Sequence, residues 1–177
     1  MTCIVGLVDN GTVWIGGDSA ATAGFSLTVR SDKKVFKVGD MLIGFTSSFR
    51  MGQLLEHSFT PPKRHADQDV FTYMVTSFVD AVRACFKDGG FAEKHSESER
   101  GGAFLVGYEK RLFLIESDYQ VGESIHGFNA CGCGDQIALG AMYLSRGSEP
   151  KDRIYSALKA AEAFSAGVRA PFHILSS

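Results

Sequence analysis

The first 46 residues alternate short apolar runs with turn-forming pairs, a pattern that few folds other than antiparallel β-structure accommodate. Residues 3–8 are apolar, Asn10-Gly11 follows, and residues 12–16 return as TVWIG. An Asn-Gly pair between two such runs is typical of a β-hairpin with a two-residue turn. Further strand-like runs lie at 26–30, 34–38 and 41–46.

The period changes from strand-like to helical after about residue 48. Residues 48–58 are helix-like, and 67–87 has the clearest helical period in the chain. Its apolar side chains recur at intervals of three and four, which indicates a core-facing stripe rather than a partner-binding face. The stripe comprises Phe71, Met74, Val75, Phe78, Val79, Val82, Cys85 and Phe86.

The second half repeats this order. Strands are predicted at 102–108, 111–117, near 126–131 and at 172–175, and a polar loop is predicted at 92–101. One helix is predicted after Gly134, with Asp135 as its cap, and another from Pro150 to about 165. The pattern predicts an α+β fold in a single domain over 1–177. Two sheets, each with a pair of helices, favour a four-layer αββα sandwich, although the pattern alone does not fix the layers.

Composition narrows the class of partner. A chain of 177 residues suits one domain with a sizeable core. The net charge of -2 gives no general reason to expect nucleic acid or an anionic membrane as partner. No apolar run approaches the roughly 20 residues needed to cross a bilayer. The start of the chain lacks the pattern of a signal peptide, so a cytoplasmic location is expected.

Four cysteines are present: Cys3, Cys85, Cys131 and Cys133. In a chain of this size without an export signal, free thiols are expected rather than a disulfide framework. Cys131 and Cys133 invite a metal hypothesis, but no second Cys pair or closely spaced His pair completes the usual four ligands. No metal or other cofactor is therefore expected.

Three residues near the N-terminus form a candidate catalytic group. Thr2 directly follows Met1, and a residue this small permits removal of the initiator methionine. Asp18 follows a strand, and Lys34 opens another. Asp18 lies 16 positions after Thr2, and Lys34 lies 16 positions after Asp18. Since each step is one strand, a turn and a return, all three are predicted to meet at one end of a sheet.

A free N-terminal threonine supplies both a nucleophile and a base. Its hydroxyl needs an adjacent base, and its α-amine, with an unperturbed pKa of roughly 7.7–8.0, can accept the proton. A nearby lysine ammonium favours the neutral amine, and an aspartate holds that lysine in place. The residue types alone are common, so the pattern permits this chemistry without requiring it.

The segment Asp18-Ser19-Ala20-Ala21-Thr22-Ala23-Gly24, with Lys33-Lys34-Val35 after it, resembles the proteasome β subunits and the bacterial HslV peptidase. Those proteins are N-terminal nucleophile (Ntn) hydrolases with an αββα fold. The resemblance implies that Thr2 is the nucleophile, Asp18 orients the lysine, and Lys34 tunes the amine.

The resemblance extends through the C-terminal half. It places Cys133 where the family has a supporting serine, and Glu162 and Ser165 where an aspartate and a serine support the threonine. The family's Gly-Gly oxyanion loop is Ser47-Ser48 here. The backbone N–H of Ser48 is expected to stabilise an oxyanion provided that its dihedral angles do not demand glycine. The implied substrate pocket comprises Ala21, Thr22, Asp32, Phe36, Thr46 and Arg50.

The resemblance implies a threonine-type peptidase that acts on peptides or unfolded polypeptides, assembles into a homo-oligomeric ring and receives substrates from an ATPase unfoldase. An inactive or unprocessed structural subunit, favoured by Ser47-Ser48, Cys133 and Met1, remains an alternative, as does an amidase acting on a small amide. Cys3 is a second possible nucleophile but requires cleavage after Thr2. The turn in GCGDQIALG lacks a complete phosphate-binding pattern.

Overall fold

The computed structural model describes residues 1–95 and 98–177. The strands are β1 (Cys3–Asp9), β2 (Thr12–Gly17), β3 (Ala20–Ala23), β4 (Ser26–Val29), β5 (Val35–Val38), β6 (Met41–Phe45), β7 (Glu93–His95), β8 (Ser98–Arg100), β9 (Phe104–Tyr108), β10 (Arg111–Ile115), β11 (Val121–Glu123), β12 (Phe128–Gly132) and β13 (His173–Ser176). The helices are α1 (Phe49–His57), α2 (Val70–Tyr73), α3 (Val79–Asp88), α4 (Asp135–Leu144) and α5 (Pro150–Phe164), with a π-helical turn at Met74–Phe78 between α2 and α3.

Two antiparallel sheets pack face to face between two layers of helices. One sheet has the order β12-β1-β2-β13 and the other β11-β10-β9-β6-β5. Side chains such as Ile4, Ile15 and Leu105 fill the space between the sheets. Helices α4 and α5 cover the outer face of the first sheet, and α1 to α3 cover the second. The predicted α+β fold with four αββα layers is confirmed.

The predicted hairpin at Asn10-Gly11 is also confirmed. Strands β1 and β2 pair in antiparallel register with Asp9 opposite Thr12. The two turn residues have φ values of 48° and 77°. Positive φ at both positions is the geometry that favours Asn-Gly in a two-residue hairpin turn.

The long helix predicted at 67–87 is interrupted. It begins at Val70, and the π-helical turn Met74–Phe78 separates α2 from α3. A π-turn inserts an extra residue and so rotates the side chains that precede it relative to those that follow. This explains why Phe71 and Val75 are each 39% exposed although they belong to the predicted stripe, while Phe78 and Phe86 are fully buried.

Three local predictions were wrong. The predicted loop at 92–101 contains β7 and β8, which pair with each other, while Ser96 and Glu97 lie outside the described residues. Gly134, not Asp135, is the N-cap of α4, and Asp135 occupies its first turn, where a carboxylate favours the helix dipole. Strands β3 and β11, of four and three residues, were not predicted because such short runs carry little periodicity.

Sheet packing brings the predicted catalytic group together. Because β1 and β2 are antiparallel, the beginning of β1 lies beside the end of β2, with Ile4 opposite Gly17. Lys34 immediately precedes β5 of the facing sheet. A Cβ atom at Gly17 would lie 2.7 Å from the Ile4 side chain and 3.0 Å from that of Val35. Glycine at this position therefore allows the two sheets to approach closely beneath the site.

Candidate active site

The structure brings Thr2, Asp18 and Lys34 into direct contact. The Lys34 ammonium donates to Thr2 Oγ1 at 2.8 Å and to Asp18 Oδ1 at 2.8 Å. All three side chains are buried. One lysine therefore bridges the hydroxyl and the carboxylate, as expected for residues that meet at one end of the sheet sandwich.

Backbone donors hold the Asp18 carboxylate in place. Oδ1 accepts from the N–H of Cys3 at 3.1 Å. Oδ2 accepts from the N–H groups of Ala20 at 2.9 Å and Arg169 at 3.2 Å. Since a buried carboxylate is costly without partners, these donors and Lys34 explain how Asp18 is accommodated with no solvent exposure.

Burial lowers the pKa of Lys34 from its usual value, while the negative charge of Asp18 and its hydrogen bond act in the opposite direction. Desolvation disfavours the charged ammonium, and the neighbouring carboxylate favours it. The ion pair with Asp18 at 2.8 Å keeps a cation beside the Thr2 hydroxyl.

Met1 occupies the space next to the Thr2 hydroxyl. Thr2 Oγ1 donates to the Met1 carbonyl oxygen at 2.5 Å. The Met1 side chain packs against Gly167, because a Cβ atom at Gly167 would overlap the Met1 Cβ. In the chain that carries Met1, the Thr2 nitrogen is a peptide amide, so it has no lone pair available to act as a base.

The loop from Thr46 to Ser48 makes a tight turn beside Thr2. Ser47 has a φ of 65°, and the Ser48 N–H donates to the Thr46 carbonyl at 2.7 Å. Ser48 itself is extended, with φ −140° and ψ 135°, a conformation that does not demand glycine. The backbone of Ser48 therefore does not need glycine, which was the condition for its N–H to serve as an oxyanion donor. In this structure that N–H is already hydrogen-bonded to Thr46 within the loop. The Ser48 hydroxyl caps α1 by accepting from the N–H of Arg50 at 3.1 Å.

A small cavity of about 50 Å³ adjoins Thr2. Its lining contains two residues predicted to contact substrate, Thr22 and Thr46. Thr22 Oγ1 is buried and has no hydrogen-bond partner among the described residues. The complete lining is Met1, Thr2, Thr22, Phe45, Thr46, Ser47, Ser48 and Phe49.

The other predicted pocket residues have partners elsewhere. Asp32 forms a two-pronged ion pair with Arg30, whose guanidinium lies 4.1 Å from the centre of the Phe49 ring. Asp32 has a lowered pKa because of this hydrogen bonding with Arg30. The Arg50 guanidinium donates to the carbonyl of Gly89 at 3.0 Å. Ala21 lies half-buried on β3, whereas Phe36 is buried in the core between α1 and the five-stranded sheet.

Of the predicted supporting residues of the C-terminal half, Cys133 and Ser165 lie on the Met1 side of the site, whereas Glu162 binds Lys159 and Ala170. Cys133 Sγ is 3.3 Å from Ser165 Oγ, and Cys133 Sγ also borders Gly167, the residue that Met1 covers. Glu162 accepts from the N–H of Ala170 at 2.8 Å and from Lys159 at 2.6 Å. Among the described residues, the hydrogen-bond partners of the Thr2 hydroxyl are Lys34 and Met1.

Three hydrogen bonds to the C-terminal segment were not predicted from the sequence. The Arg169 N–H binds Asp18, and its carbonyl accepts from the Ser19 N–H at 2.8 Å. The Ser19 hydroxyl donates to the Pro171 carbonyl at 2.7 Å. These contacts join positions about 150 residues apart, so local sequence patterns carried no signal for them.

Two further properties concern metals and membranes. Across residues 1–95 and 98–177, no group of three or more His, Cys, Asp or Glu side chains is placed to hold a metal ion. Cys131 is buried, and Cys133 is exposed at the site. Over the same described residues, every helix is too short or too polar to cross a membrane.

No protein-family model matches the sequence. No curated protein matches it either. Solved structures do share the fold. The Thiobacillus denitrificans BPH in complex with epoxomicin superposes with a TM-score of 0.80 at 20% identity, over 99% of this chain and 98% of that one. HslV from Trypanosoma brucei superposes with a TM-score of 0.70 at 16% identity, over 99% of this chain and 98% of that one. An Anbu (Gly-1) mutant from Hyphomicrobium sp. strain MC1 superposes with a TM-score of 0.70 at 16% identity, over 98% of this chain and 80% of that one.

These neighbours are proteasome-like Ntn hydrolases. The chain therefore has the proteasome-like Ntn-hydrolase fold over nearly its whole length, as the sequence resemblance predicted. At these identities the likeness shows the fold alone. The roles of Thr2, Asp18 and Lys34 in this chain rest on the geometry of its own residues.

Proposed function

We propose that this chain is an N-terminal threonine peptidase in which Thr2, freed by removal of Met1, attacks the carbonyl carbon of a peptide bond. One observation carries the proposal: the buried Lys34 ammonium donates to both Thr2 Oγ1 and Asp18 Oδ1 at 2.8 Å. A buried lysine that touches a hydroxyl at the chain terminus has a direct chemical use, since it sets the charge around a nucleophile.

Removal of Met1 converts the Thr2 amide into an α-amine on the same residue as the nucleophile. In the proposed reaction the amine takes the proton from Oγ1 as Oγ1 bonds to the substrate carbonyl carbon. The tetrahedral intermediate collapses, its C–N bond breaks, and the leaving amine receives the proton from the α-ammonium. Water then hydrolyses the ester on Thr2 with the same amine as base, which regenerates the enzyme.

Lys34 has two roles in this proposal. Its positive charge disfavours protonation of the nearby α-amine, so the amine pKa falls below its ordinary range of roughly 7.7–8.0 and the base form predominates at neutral pH. Its hydrogen bond to Oγ1 also stabilises the developing negative charge on that oxygen. Asp18 acts as a positioning residue because it holds the ammonium without touching Thr2 Oγ1.

The proposed oxyanion donor is the backbone N–H of Ser48. It currently binds the Thr46 carbonyl at 2.7 Å, so the turn at Ser47 must open for this N–H to reach a substrate. The loss of one oxyanion donor costs an enzyme about 3–4 kcal/mol of transition-state stabilisation. Cys133, Glu162 and Ser165 are proposed to support the segment that borders Thr2.

The fold neighbours support a peptide substrate and a ring. BPH was solved with epoxomicin, and HslV and Anbu share the fold of this chain. We propose a homo-oligomeric ring that takes unfolded polypeptide, with an ATPase unfoldase as its source. A cytoplasmic location stays a prediction.

An unprocessed structural subunit is the second candidate. The observation that favours it is the contact of Thr2 Oγ1 with the Met1 carbonyl at 2.5 Å, together with the packing of Met1 on Gly167. A chain that retains Met1 in the cell would have neither a free amine nor an open site, and its role would lie in assembly.

The intact mass of the native protein, with N-terminal sequencing, separates these candidates. The proposal expects a chain that begins at Thr2. Thr2→Ala and Thr2→Ser form a matched pair, since both permit removal of Met1 but only serine retains a hydroxyl. Thr2→Ala should not hydrolyse fluorogenic peptides. Thr2→Ser should hydrolyse them, and epoxomicin should inhibit that hydrolysis as it does in the wild type. A Thr2→Ala protein with wild-type hydrolysis would overturn the proposal, and a native chain that begins at Met1 would support the structural subunit.

A further inference from the structure

Two residues of the substrate pocket implied by the sequence carry opposite charges, Asp32 and Arg50. Such a pair of residues is compatible with selection of a basic, an acidic or an uncharged side chain. In the structure each charged group binds a different partner, and neither lines the cavity beside Thr2. The charge that a substrate meets therefore depends on these partners.

Arg50 is held outside the cavity. Its guanidinium donates to the carbonyl of Gly89 at 3.0 Å, and Gly89 follows the last residue of α3. Its backbone N–H donates to Ser48 Oγ at 3.1 Å, which fixes the residue in the first turn of α1. Arg50 therefore contributes no charge to the lining of the cavity.

Asp32 is neutralised by Arg30, two positions earlier in the chain. Arg30 Nε donates to Asp32 Oδ1 at 2.6 Å, and Arg30 Nη2 donates to Oδ2 at 2.8 Å. A two-pronged pair of this kind has a better defined geometry than a single contact. The two side chains are 37% and 42% exposed, so the pair is accessible to a substrate and is not part of the core.

The Phe49 ring connects this ion pair to the catalytic group. The Arg30 guanidinium lies 4.1 Å from the centre of the ring, and the Lys34 ammonium lies 5.7 Å from it. The same ring lines the cavity beside Thr2. An unpaired charge at position 30 or 32 would therefore act over a short distance on a side chain bound in the cavity.

The cavity presents aromatic rings and hydroxyl groups but no ionised side chain. Phe45 and Phe49, with ring centres 5.7 Å apart, form its apolar wall, and apart from Met1 the other lining residues carry hydroxyls. A charged side chain in such a space loses hydration without gaining a counter-charge. An apolar side chain gains free energy there from the burial of its surface. Removal of Met1, which borders the same space, widens the cavity for a substrate.

We infer that the site selects an apolar, uncharged side chain on the residue whose carbonyl carbon Thr2 attacks. The Arg30–Asp32 pair enforces this choice, because it leaves no net charge beside the Phe49 ring. The inference rests on the proposed peptidase function and names its substrate class. It gives Arg30 and Phe49 a role in specificity, although neither belongs to the pocket that the resemblance implies. Loss of either partner of the pair should expose the charge of the other.

Peptide hydrolysis by the full chain that begins at Thr2 tests the inference. Four fluorogenic peptides differ only in the residue before the cleaved bond, which is leucine, glutamine, arginine or glutamate. The wild type should have its highest kcat/KM with leucine. In Arg30→Gln the carboxylate of Asp32 is unpaired, so the arginine-to-leucine ratio of kcat/KM should rise by about fivefold, the scale of one partly exposed ion pair. In Asp32→Asn the glutamate-to-leucine ratio should rise instead, because the Arg30 guanidinium is then unpaired.

Ratios are compared because a new charge near the α-amine also changes the rate with every peptide. The double variant Arg30→Gln, Asp32→Asn carries no charge at either position, so its ratios should return to those of the wild type. Glu123→Gln is the matched control, since Glu123 forms a two-pronged pair with Arg111 between β10 and β11. It should leave every ratio unchanged, and circular dichroism checks that all variants are folded.

A wild type that prefers glutamine, arginine or glutamate would overturn the inference and leave the peptidase proposal standing. Single variants that keep the wild-type ratios would do the same, as would equal shifts in Glu123→Gln. Calorimetric binding of the four peptides to the Thr2→Ala chain measures the preference without hydrolysis. If the wild type hydrolyses none of them but the leucine peptide binds most tightly, the peptidase proposal fails and the inferred preference stands. Equal or absent binding would overturn the preference as well.

Discussion

The Lys34 ammonium lies 2.8 Å from the Asp18 carboxylate, and the two side chains are 1% and 0% exposed. An ion pair with so little solvent has a high desolvation cost, so such a pair contributes little to stability compared with apolar residues of similar size. The proposed reaction gives the pair a use, because the same ammonium touches the hydroxyl of Thr2. The pair therefore links the stability of the core to the proposed reaction.

The Asp18→Asn substitution should destabilise the protein by about 3–5 kcal/mol, since it leaves the buried Lys34 cation without a counter-charge. The double variant Asp18→Asn, Lys34→Met should be more stable than Asp18→Asn alone, because it also removes that cation. Urea denaturation of the wild type, both single variants and the double variant closes the thermodynamic cycle. Additive losses would show that the two groups are not coupled.

The sequence predicted the part of the site that depends on local periodicity. Each step, from Thr2 to Asp18 and from Asp18 to Lys34, is one strand, a turn and a return, and antiparallel pairing of β1 with β2 brings the first two residues together. Most strands and helices were also predicted from runs of residues with a clear period, whereas the pattern alone did not fix how the layers stack. Strands and helices of this kind can be predicted because their apolar residues recur at a regular spacing along the chain.

The parts that the sequence did not predict depend on long-range contacts or on single residues. The Arg169 N–H reaches Asp18 from 151 positions away, and nothing near either residue indicates the contact. Strand β3 is four residues long, too short for a reliable period. The sequence also did not predict the positive φ of Ser47, because serine rarely adopts that conformation without support from its surroundings.

The hydroxyl of Ser48 should contribute to stability as a helix cap. It accepts from the Arg50 N–H at 3.1 Å, so Ser48→Ala should destabilise the protein by about 1 kcal/mol. Ser48→Asp provides the control, because aspartate retains the cap and its charge is favourable at a helix N-terminus. Thermal or chemical denaturation measures both variants. An alanine variant as stable as the aspartate variant would contradict the cap.

Glu162 should make the free energy of unfolding depend on pH in the acid range. Its pKa is lowered from 4.5, first by the hydrogen bond with Lys159 and then by the Ala170 N–H. Because the folded-state pKa is the lower one, the contribution is complete above about pH 4.5 and is lost as the pH falls through the folded-state value.

The Glu162→Gln variant tests this dependence. The wild type should exceed it in stability by about 1 kcal/mol at neutral pH, and the difference should shrink on acidification. Glu149→Gln, at the start of α5, is the control for removal of a carboxylate from the same helix. The measurement is the free energy of unfolding of each protein at a series of pH values. A difference between wild type and Glu162→Gln that does not change with pH would contradict the role of the charge.

Gly167 should respond differently to substitution in the two N-terminal forms of the chain. A Cβ atom there would overlap the Met1 Cβ and lie 2.8 Å from Cys133 Sγ. Loss of Met1 removes the first contact, and the Cys133 side chain can rotate away from the second. Gly167→Ala should therefore cost about 1–3 kcal/mol in the chain that retains Met1 and less in the chain that begins at Thr2.

Both N-terminal forms can be prepared, one by inhibiting methionine aminopeptidase during expression and the other by cleaving a leader directly before Thr2. Gly140→Ala on α4 is the control, because a Cβ atom there meets nothing within 4 Å. That variant should gain up to about 1 kcal/mol equally in both forms, as expected for alanine in place of glycine within a helix. If Gly167→Ala costs the same in both forms, then Met1 does not pack on Gly167, and the site is open before processing.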